Sequence, residues 1–507
     1  MASTQLLTID FGTTGIKCLL FTLTGKVAIQ QFAPLTYHDS TGLMGIGKEF
    51  DAPTAWSTIC QMIRSCIRDA KIEPRDIIAT AVTSQRHGAV FLGDKGEVIY
   101  AGPNLDARGV FVQDSVMQGL ETSCPPTGCW PPLLYSLCRL IWFKQNKPDL
   151  YQKIHHVLSI SDWIAYKLSG IALTDPSQAS NTQFMDIEQS VWSPEILEMA
   201  DISADLLPPI HSPGSLIGPI TDAANQATGL TQDTVVGVGG ADTQCALLGS
   251  GLSEPNEVCV VAGNTAPIQL ITDRPIIDET CKLWTGRFLL PNHWVVEANT
   301  GKAGEVLRWF VQNIFQPIAA KLTPQEAYAQ IETLAMQAEI GSRDAIALLG
   351  PQIMDAQDLT TVRPSIFLFP PPASPVVTPI TTHDLARALF ENICYAIRAN
   401  LDLLQQLTKI RLESCTVAGG LTQSQFWQQM LADVTGLDIH RGHEVEASSL
   451  GAAICAATAV GTYNSLRSAS KKMVRQQTPF NPRTEVHEKY TNFFTRWHTL
   501  YNQSANL

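Results

Sequence analysis

Three times along this 507-residue chain an apolar run of strand-forming residues stops abruptly at glycines. No other feature limits the fold as much. The instances are "LLTIDFGTTGIKCLLF" (6–21), "TVVGVGGADTQCALLG" (234–249) and "CTVAGGLTQSQFWQQMLADVTG" (415–436). Short runs rich in Leu, Ile, Val and Thr, bounded by glycine, read as strands, with 6–11 and 16–22 joined as a hairpin.

The first hairpin has a distant echo at "NEVCVVAGNTAPIQLIT" (256–272), again strand, Gly/Asn/Thr turn, strand. Further strands are expected at 76–85 and 88–100, the latter turning at Gly-Asp-Lys-Gly. "SISDWIAYKLSG" (159–170) has helical apolar spacing, a Ser/Asp start and a Gly stop. A long amphipathic helix is predicted over 384–407, where Leu385, Leu389, Ile393, Ile397, Leu401 and Leu404 recur at three or four. "FPPPASPVVTP" (369–379) reads as a stiff connector. The expectation is an α/β chain of two related lobes with a cleft between them, divided as 1–250 and 251–507.

Bulk chemistry excludes several classes. Apolar residues make up 45% and charged residues 16%, which suits a globular protein. A net charge of −12 argues against general affinity for nucleic acid or an anionic membrane. The 12 cysteines are scattered without zinc-ligand spacing and mostly sit among apolar residues. With no leader-like N-terminus and no long apolar run, a reducing, cytoplasmic location is expected.

A Gly12-Thr13-Thr14-Gly15 turn offers unshielded backbone N–H groups and two hydroxyls, an anion nest suited to phosphate. It lacks the GxxxxGK[ST] spacing of a P-loop. Lys17 adds a charge. Phosphoryl transfer needs a phosphate cradle, a Mg²⁺ held by carboxylates or water, and a group to take the acceptor's proton. Asp10 and Asp242 are the acids delivered by glycine-ended strands. Read alone, the turn could be an ordinary hairpin, and Asp242 could cap the helix that follows it.

The pattern Asp-x-Gly-Thr at 10–13, "GGAD" ending at 242, "AGG" at 418–420 and "EASSLGAA" (446–453) resembles the FGGY carbohydrate kinases of the actin and hexokinase superfamily. "TSQRHGAVFLGDKGEVIYAGPNLDAR" resembles that family's sugar-binding strand. "LCRLIWFKQNKPDLYQKI" resembles its first signature, with Arg139 where Lys is usual. The style is closest to the autoinducer-2 kinase and xylulokinase branches.

The resemblance implies two actin-like, ribonuclease H-like lobes and an ATP-dependent kinase for a small ketose or polyol. Asp10, Gly12, Thr13, Thr14 and Lys17 would approach the ATP phosphates, with Asp10 and Asp242 at Mg²⁺. Asp242 would be the general base. Arg86, His87 and Asp106 would line the sugar site, and Thr243 belongs to the same stretch without an assigned role. Gly263, Asn264 and Thr265 would form a second phosphate loop, Gly304 would lie near the nucleotide, and Gly419, Gly420 and Ser424 would flank adenine or ribose. The partners implied are a small sugar and ATP, with a homodimer left open. The chain departs from the family at Asn264, where a hydroxyl is expected, at the Pro-rich 369–379 segment, and at "QRHG". These departures leave a second reading, a catalytically degenerate sugar-binding regulator.

Overall fold

The computed structural model describes residues 4–119, 126–315, 322–358, 363–371 and 378–506. It divides into two compact units. The first gathers Met1–Pro255, Ile271–Val296 and Gly442–Arg475; the second gathers Asn256–Leu270, Glu297–Arg441 and Gln476–Leu507.

The first unit is built on a six-stranded sheet. Its strands are β1 (Gln5–Phe11), β2 (Gly15–Thr22), β3 (Val27–Pro34), β4 (Ile77–Ser84), β5 (Leu216–Pro219) and β6 (Val235–Ala241), in the order β5-β6-β4-β1-β2-β3. Every residue of β1 is buried, as its unbroken apolar run requires. β3 alternates between half-buried and exposed residues, the pattern of an edge strand. β1 runs antiparallel to β2, which sets Asp10 opposite Lys17, and parallel to β4, which sets Asp10 beside Thr83.

Helices cover both faces. On one side lie α1 (Ala52–Ala70) and α2 (Ile160–Ser169), whose apolar residues join the core with Leu7, Ile9, Phe11 and Leu20. α2 is the helix legible at 159–170. Ser159 caps it in a capping box with Asp162, and Gly170 ends it at φ 74°. Next come α3 (Asp242–Gly249) and α4 (Ala447–Ala459), and α4 lies against β1, β4, β6 and α3. The two helices touch backbone to backbone. A Cβ on Gly451 would stand 2.0 Å from the Cys245 carbonyl oxygen, and one on Gly249 would stand 2.0 Å from that of Ala447.

A second, three-stranded sheet of this unit carries the hairpin Ala89–Leu92 and Val98–Gly102, turned at Gly93–Gly96 as the sequence indicates. Among the described residues ten cysteines are free and buried, while Cys281 is disulfide-bonded, a departure from uniformly reduced thiols.

The second unit holds β7 (Val258–Val261), β8 (Thr265–Thr272), β9 (Trp294–Lys302), β10 (Ser414–Ala418) and β11 (Asp438–Arg441), in the order β9-β8-β7-β10-β11. β7 and β8 form the echo hairpin, and β10 is parallel to both β7 and β11. The long helix spans Thr382–Thr408, close to its predicted bounds. Of the Pro-rich 369–379 segment, residues 372–377 lie outside the described residues. Among the described residues no helix is long and apolar enough to cross a membrane.

Candidate active site

The first hairpin turns tightly, the Gly12 N–H donating to the Gly15 carbonyl at 3.0 Å. Its two glycines serve different ends. A Cβ on Gly15 would fall 2.4 Å from the Phe32 ring and 2.6 Å from the Ala33 oxygen, so the approach of β3 demands glycine there. A Cβ on Gly12 would meet only the Gly15 oxygen, at 3.4 Å, which leaves open space in front of that residue. Thr13 is fixed on two sides: its carbonyl accepts from the Tyr37 hydroxyl at 2.6 Å and its Oγ1 from the Asn104 amide at 3.0 Å. Gln85 holds Asn104 in turn, accepting its backbone N–H at 3.0 Å. Thr14 is exposed.

Asp10 is 8% exposed, and Ser449 on α4 donates to its Oδ2 at 3.3 Å. Burial raises its carboxyl to about 7; Lys17 opposes the rise, and the charges of Asp242 and Glu446 add to it. Lys17 makes a 2.5 Å bond to Glu446. Burial works against the Lys17 charge, but Asp10 and Glu446 outweigh it and lift its pKa above the ordinary lysine range.

Asp242 occupies the first position of α3, with Ala241 as the N-cap, so it sits in the first turn rather than at the cap. Its Oδ1 accepts the Thr243 N–H at 2.7 Å. The preceding Gly-Gly marks a bulge. The β6–β4 register shifts between Gly237 and Gly240, and a Cβ on Gly239 would lie 1.9 Å from the Val82 oxygen. Thr243 is buried, its hydroxyl bonded to Gln244 at 2.7 Å.

The proposed sugar residues separate. His87 follows β4 at φ 63° and is buried, its ring edge-on to Tyr135 at 5.0 Å and to Trp284 at 5.9 Å. Its Nδ1 has no hydrogen-bond partner. Burial, then Arg86 and Arg139, push its pKa well below the usual histidine value. Arg86 is half-buried. Asp106 is placed otherwise than expected. It has no exposed surface, and its carboxylate accepts from the Tyr100 hydroxyl at 2.5 Å, Arg108 Nε at 2.7 Å and the Arg108 N–H at 3.0 Å. Those three bonds hold the carboxylate against Arg108 and Tyr100. Arg139 is fully buried and donates to the carbonyls of Pro103 and Asp106 at 2.9 and 3.0 Å.

In the second unit, the echo turn is tied down from behind. The Asn264 carbonyl accepts the N–H groups of Ala303 and Glu305 at 2.9 and 3.1 Å, and Arg308 donates to its side-chain oxygen. Asn rather than Thr at 264 therefore has a structural reason, the anchoring of Gly304–Phe310. Gly304 is required because its Cβ would lie 2.3 Å from the Gly263 oxygen. Thr265 is exposed. Gly419, at φ 89°, approaches Ala262, whose carbonyl accepts the Leu421 N–H at 3.2 Å; around Gly420 the space is open. Ser424 caps Gln425–Thr435 by accepting the Trp427 N–H at 3.0 Å, which engages the hydroxyl expected at the nucleotide.

Two residues escaped the sequence reading, Glu446 and Ser449. Their signal was the "EASSLGAA" motif, which supplies the N-cap and the first turn of α4.

The family models decide what the chain is. That of the FGGY family of carbohydrate kinases, N-terminal domain, matches residues 5–249, and that of the C-terminal domain matches 258–460. The chain belongs to the FGGY family of carbohydrate kinases. Like its relatives, this FGGY kinase is a phosphotransferase acting on an alcohol group, with the two-domain actin-like fold. The autoinducer-2 kinase of Klebsiella pneumoniae is 30% identical over 514 residues, 99% of this chain and 94% of that protein. The ligand-bound xylulose kinase of Lactobacillus acidophilus matches with a TM-score of 0.84 at 21% identity, over 99% and 98% of the two chains. Plasmodium falciparum glycerol kinase with ADP matches at 0.81 and 18%, over 99% and 98%.

The acids of this FGGY kinase fit a hard divalent cation carried by phosphates. Among the described residues no group of three or more His, Cys, Asp or Glu could hold a metal. Mg²⁺ commonly needs only one or two carboxylates beside phosphate and water, and Asp10 lies where burial and neighbouring acids leave a negative group short of countercharge.

Proposed function

We propose that this kinase transfers the γ-phosphoryl group of ATP to a hydroxyl of a small ketose or polyol, either xylulose- or ribulose-like or autoinducer-2-like. The observation that carries the reading is the set Asp10, Lys17 and Asp242. The strand end, the hairpin and the first turn of α3 bring these charges within electrostatic reach of Asp10.

Asp242 accepts the proton of the attacking hydroxyl. An ordinary carboxylate suffices, because the loose transition state asks for position more than basicity. Lys17 and the N–H and hydroxyl groups of Gly12, Thr13 and Thr14 meet phosphate oxygens, and the open space before Gly12 admits them. Asp10 and Asp242 are the residues that would hold Mg²⁺, which when bound neutralises charge on the transferring phosphates. Arg86 and His87 meet sugar hydroxyls. A neutral imidazole with an unpartnered Nδ1 offers that one nitrogen to a polyol hydroxyl. In the second unit, Gly263, Asn264, Thr265, Gly304, Gly419, Gly420 and Ser424 are the residues offered to the nucleotide. The tether of Asn264 accounts for its departure from the family without loss of catalysis, which favours an active enzyme over a degenerate one.

A coupled ADP-release assay over ketoses, polyols and autoinducer-2 tests the substrate class. Asp242→Asn is expected to lose turnover by about 100-fold or more while nucleotide still binds. Near-normal turnover in that variant would overturn the assignment of the base.

A further inference from the structure

The N-terminal end of α4, from its N-cap Glu446 onward, meets both charged residues of the phosphate-facing hairpin. Glu446 gives Oε2 to the Lys17 ammonium at 2.5 Å and Oε1 to the Gln30 amide at 3.2 Å. One turn further on, Ser449 Oγ donates to Asp10 Oδ2 at 3.3 Å. The N-cap and first turn of α4 thus reach both members of the Asp10–Lys17 cross-strand pair.

That surface is firmly mounted. Ser449 is fully buried, and the Gly451 and Gly249 contacts lock α4 against α3, the helix that begins with Asp242. A change in the seat of α4 is therefore felt at all three charged groups.

As a stabilising interaction the Lys17–Glu446 pair is unpromising. Its side chains are 32% and 21% exposed, and part-exposed ion pairs contribute little to folding. Its value lies in geometry. A lysine carries its charge on a flexible four-carbon stem, and meeting a phosphate from a free ensemble of rotamers costs ordering entropy. A carboxylate that holds the ammonium in place before the nucleotide arrives removes part of that cost.

We propose that the N-terminal end of α4 is a positioning clamp, in which the N-cap Glu446 sets Lys17 and Ser449 sets Asp10 without either touching substrate. The proposal rests on the reading of this hairpin as the phosphate and metal site. Positioning groups behind a first set of ligands typically cost tenfold or more when removed.

The test combines calorimetric titration of Mg·ADP in the absence of sugar with steady-state kinetics and thermal melts. Glu446→Gln is expected to weaken Mg·ADP about tenfold and to raise KM for ATP, leaving KM for the sugar and the melting temperature unchanged. In a Lys17→Ala background the same substitution should have no further effect, since the clamp then has nothing to hold. Ser449→Ala reads the other arm independently: about tenfold more Mg²⁺ should be needed for half-maximal rate. If Lys17→Ala weakens Mg·ADP but Glu446→Gln does not, or if their effects add in the double variant, the clamp is refuted and the phosphate site stands. If Lys17→Ala leaves Mg·ADP affinity untouched, the phosphate reading fails and takes the clamp with it.

Discussion

A carboxyl at about 7 in the ligand-free protein makes Asp10 costly to fold around. The native state holds the proton on Asp10 up to about pH 7, whereas an unfolded Asp releases it near the ordinary aspartate value of 3.8. Between those values the native state binds more protons, so stability from this group declines as pH rises. With chelator present, Asp10→Asn should therefore melt progressively higher than the parent as pH goes from about 4 to 8, while losing activity. A melting-temperature gap that stays flat with pH would contradict the burial argument. Asp10 stands out in the sequence because an acid ending a wholly apolar strand has few structural excuses. Asp106 does not stand out in that way. A carboxylate two residues before an arginine looks the same whether it faces a ligand or folds back on Arg108 and Tyr100, and only burial separates the two.

Two glycines in one turn look interchangeable in sequence, yet they serve different structures. Gly15→Ala drives a Cβ into the Ala33 backbone oxygen, and overpacking of that kind typically costs about 1–3 kcal/mol. Gly12→Ala meets no such obstacle. Thermal melts should thus show Gly15→Ala clearly destabilised and Gly12→Ala close to the parent, whereas calorimetry should show Gly12→Ala losing Mg·ADP affinity. The reverse pattern would move the phosphate site away from this hairpin. At the echo turn, Asn264→Ala removes the acceptor of Arg308, so amides of 303–310 should exchange with deuterium faster, without a comparable change in α4. The hairpins, α2 and the long helix were readable because strand alternation, caps and 3.6-residue spacing are local. The tasks of Asn264 and Ser424 were not, since a cap, a tether and a ligand contact all draw on the same small polar side chains.

At the scale of the molecule, the first unit is completed by residues 442–475, which return to cover β1, β4 and β6 with α4. A pairing of residues 17 and 446 leaves no periodic trace in a sequence, which is why the hairpin could be read and its clamp could not. A fragment ending at Pro255 should bind apolar dyes and melt without a cooperative transition, because its sheet lacks α4. A sharp melt near the parental temperature would show that α4 is dispensable for the fold. The same return of the chain has a consequence in time. Ribosomes add about 5–20 residues per second, so the hairpin waits roughly 20–90 s for Glu446 to be made. A polypeptide abandoned partway through translation carries the phosphate turn without its clamp, and by the same roughly tenfold argument holds nucleotide more weakly until it is finished.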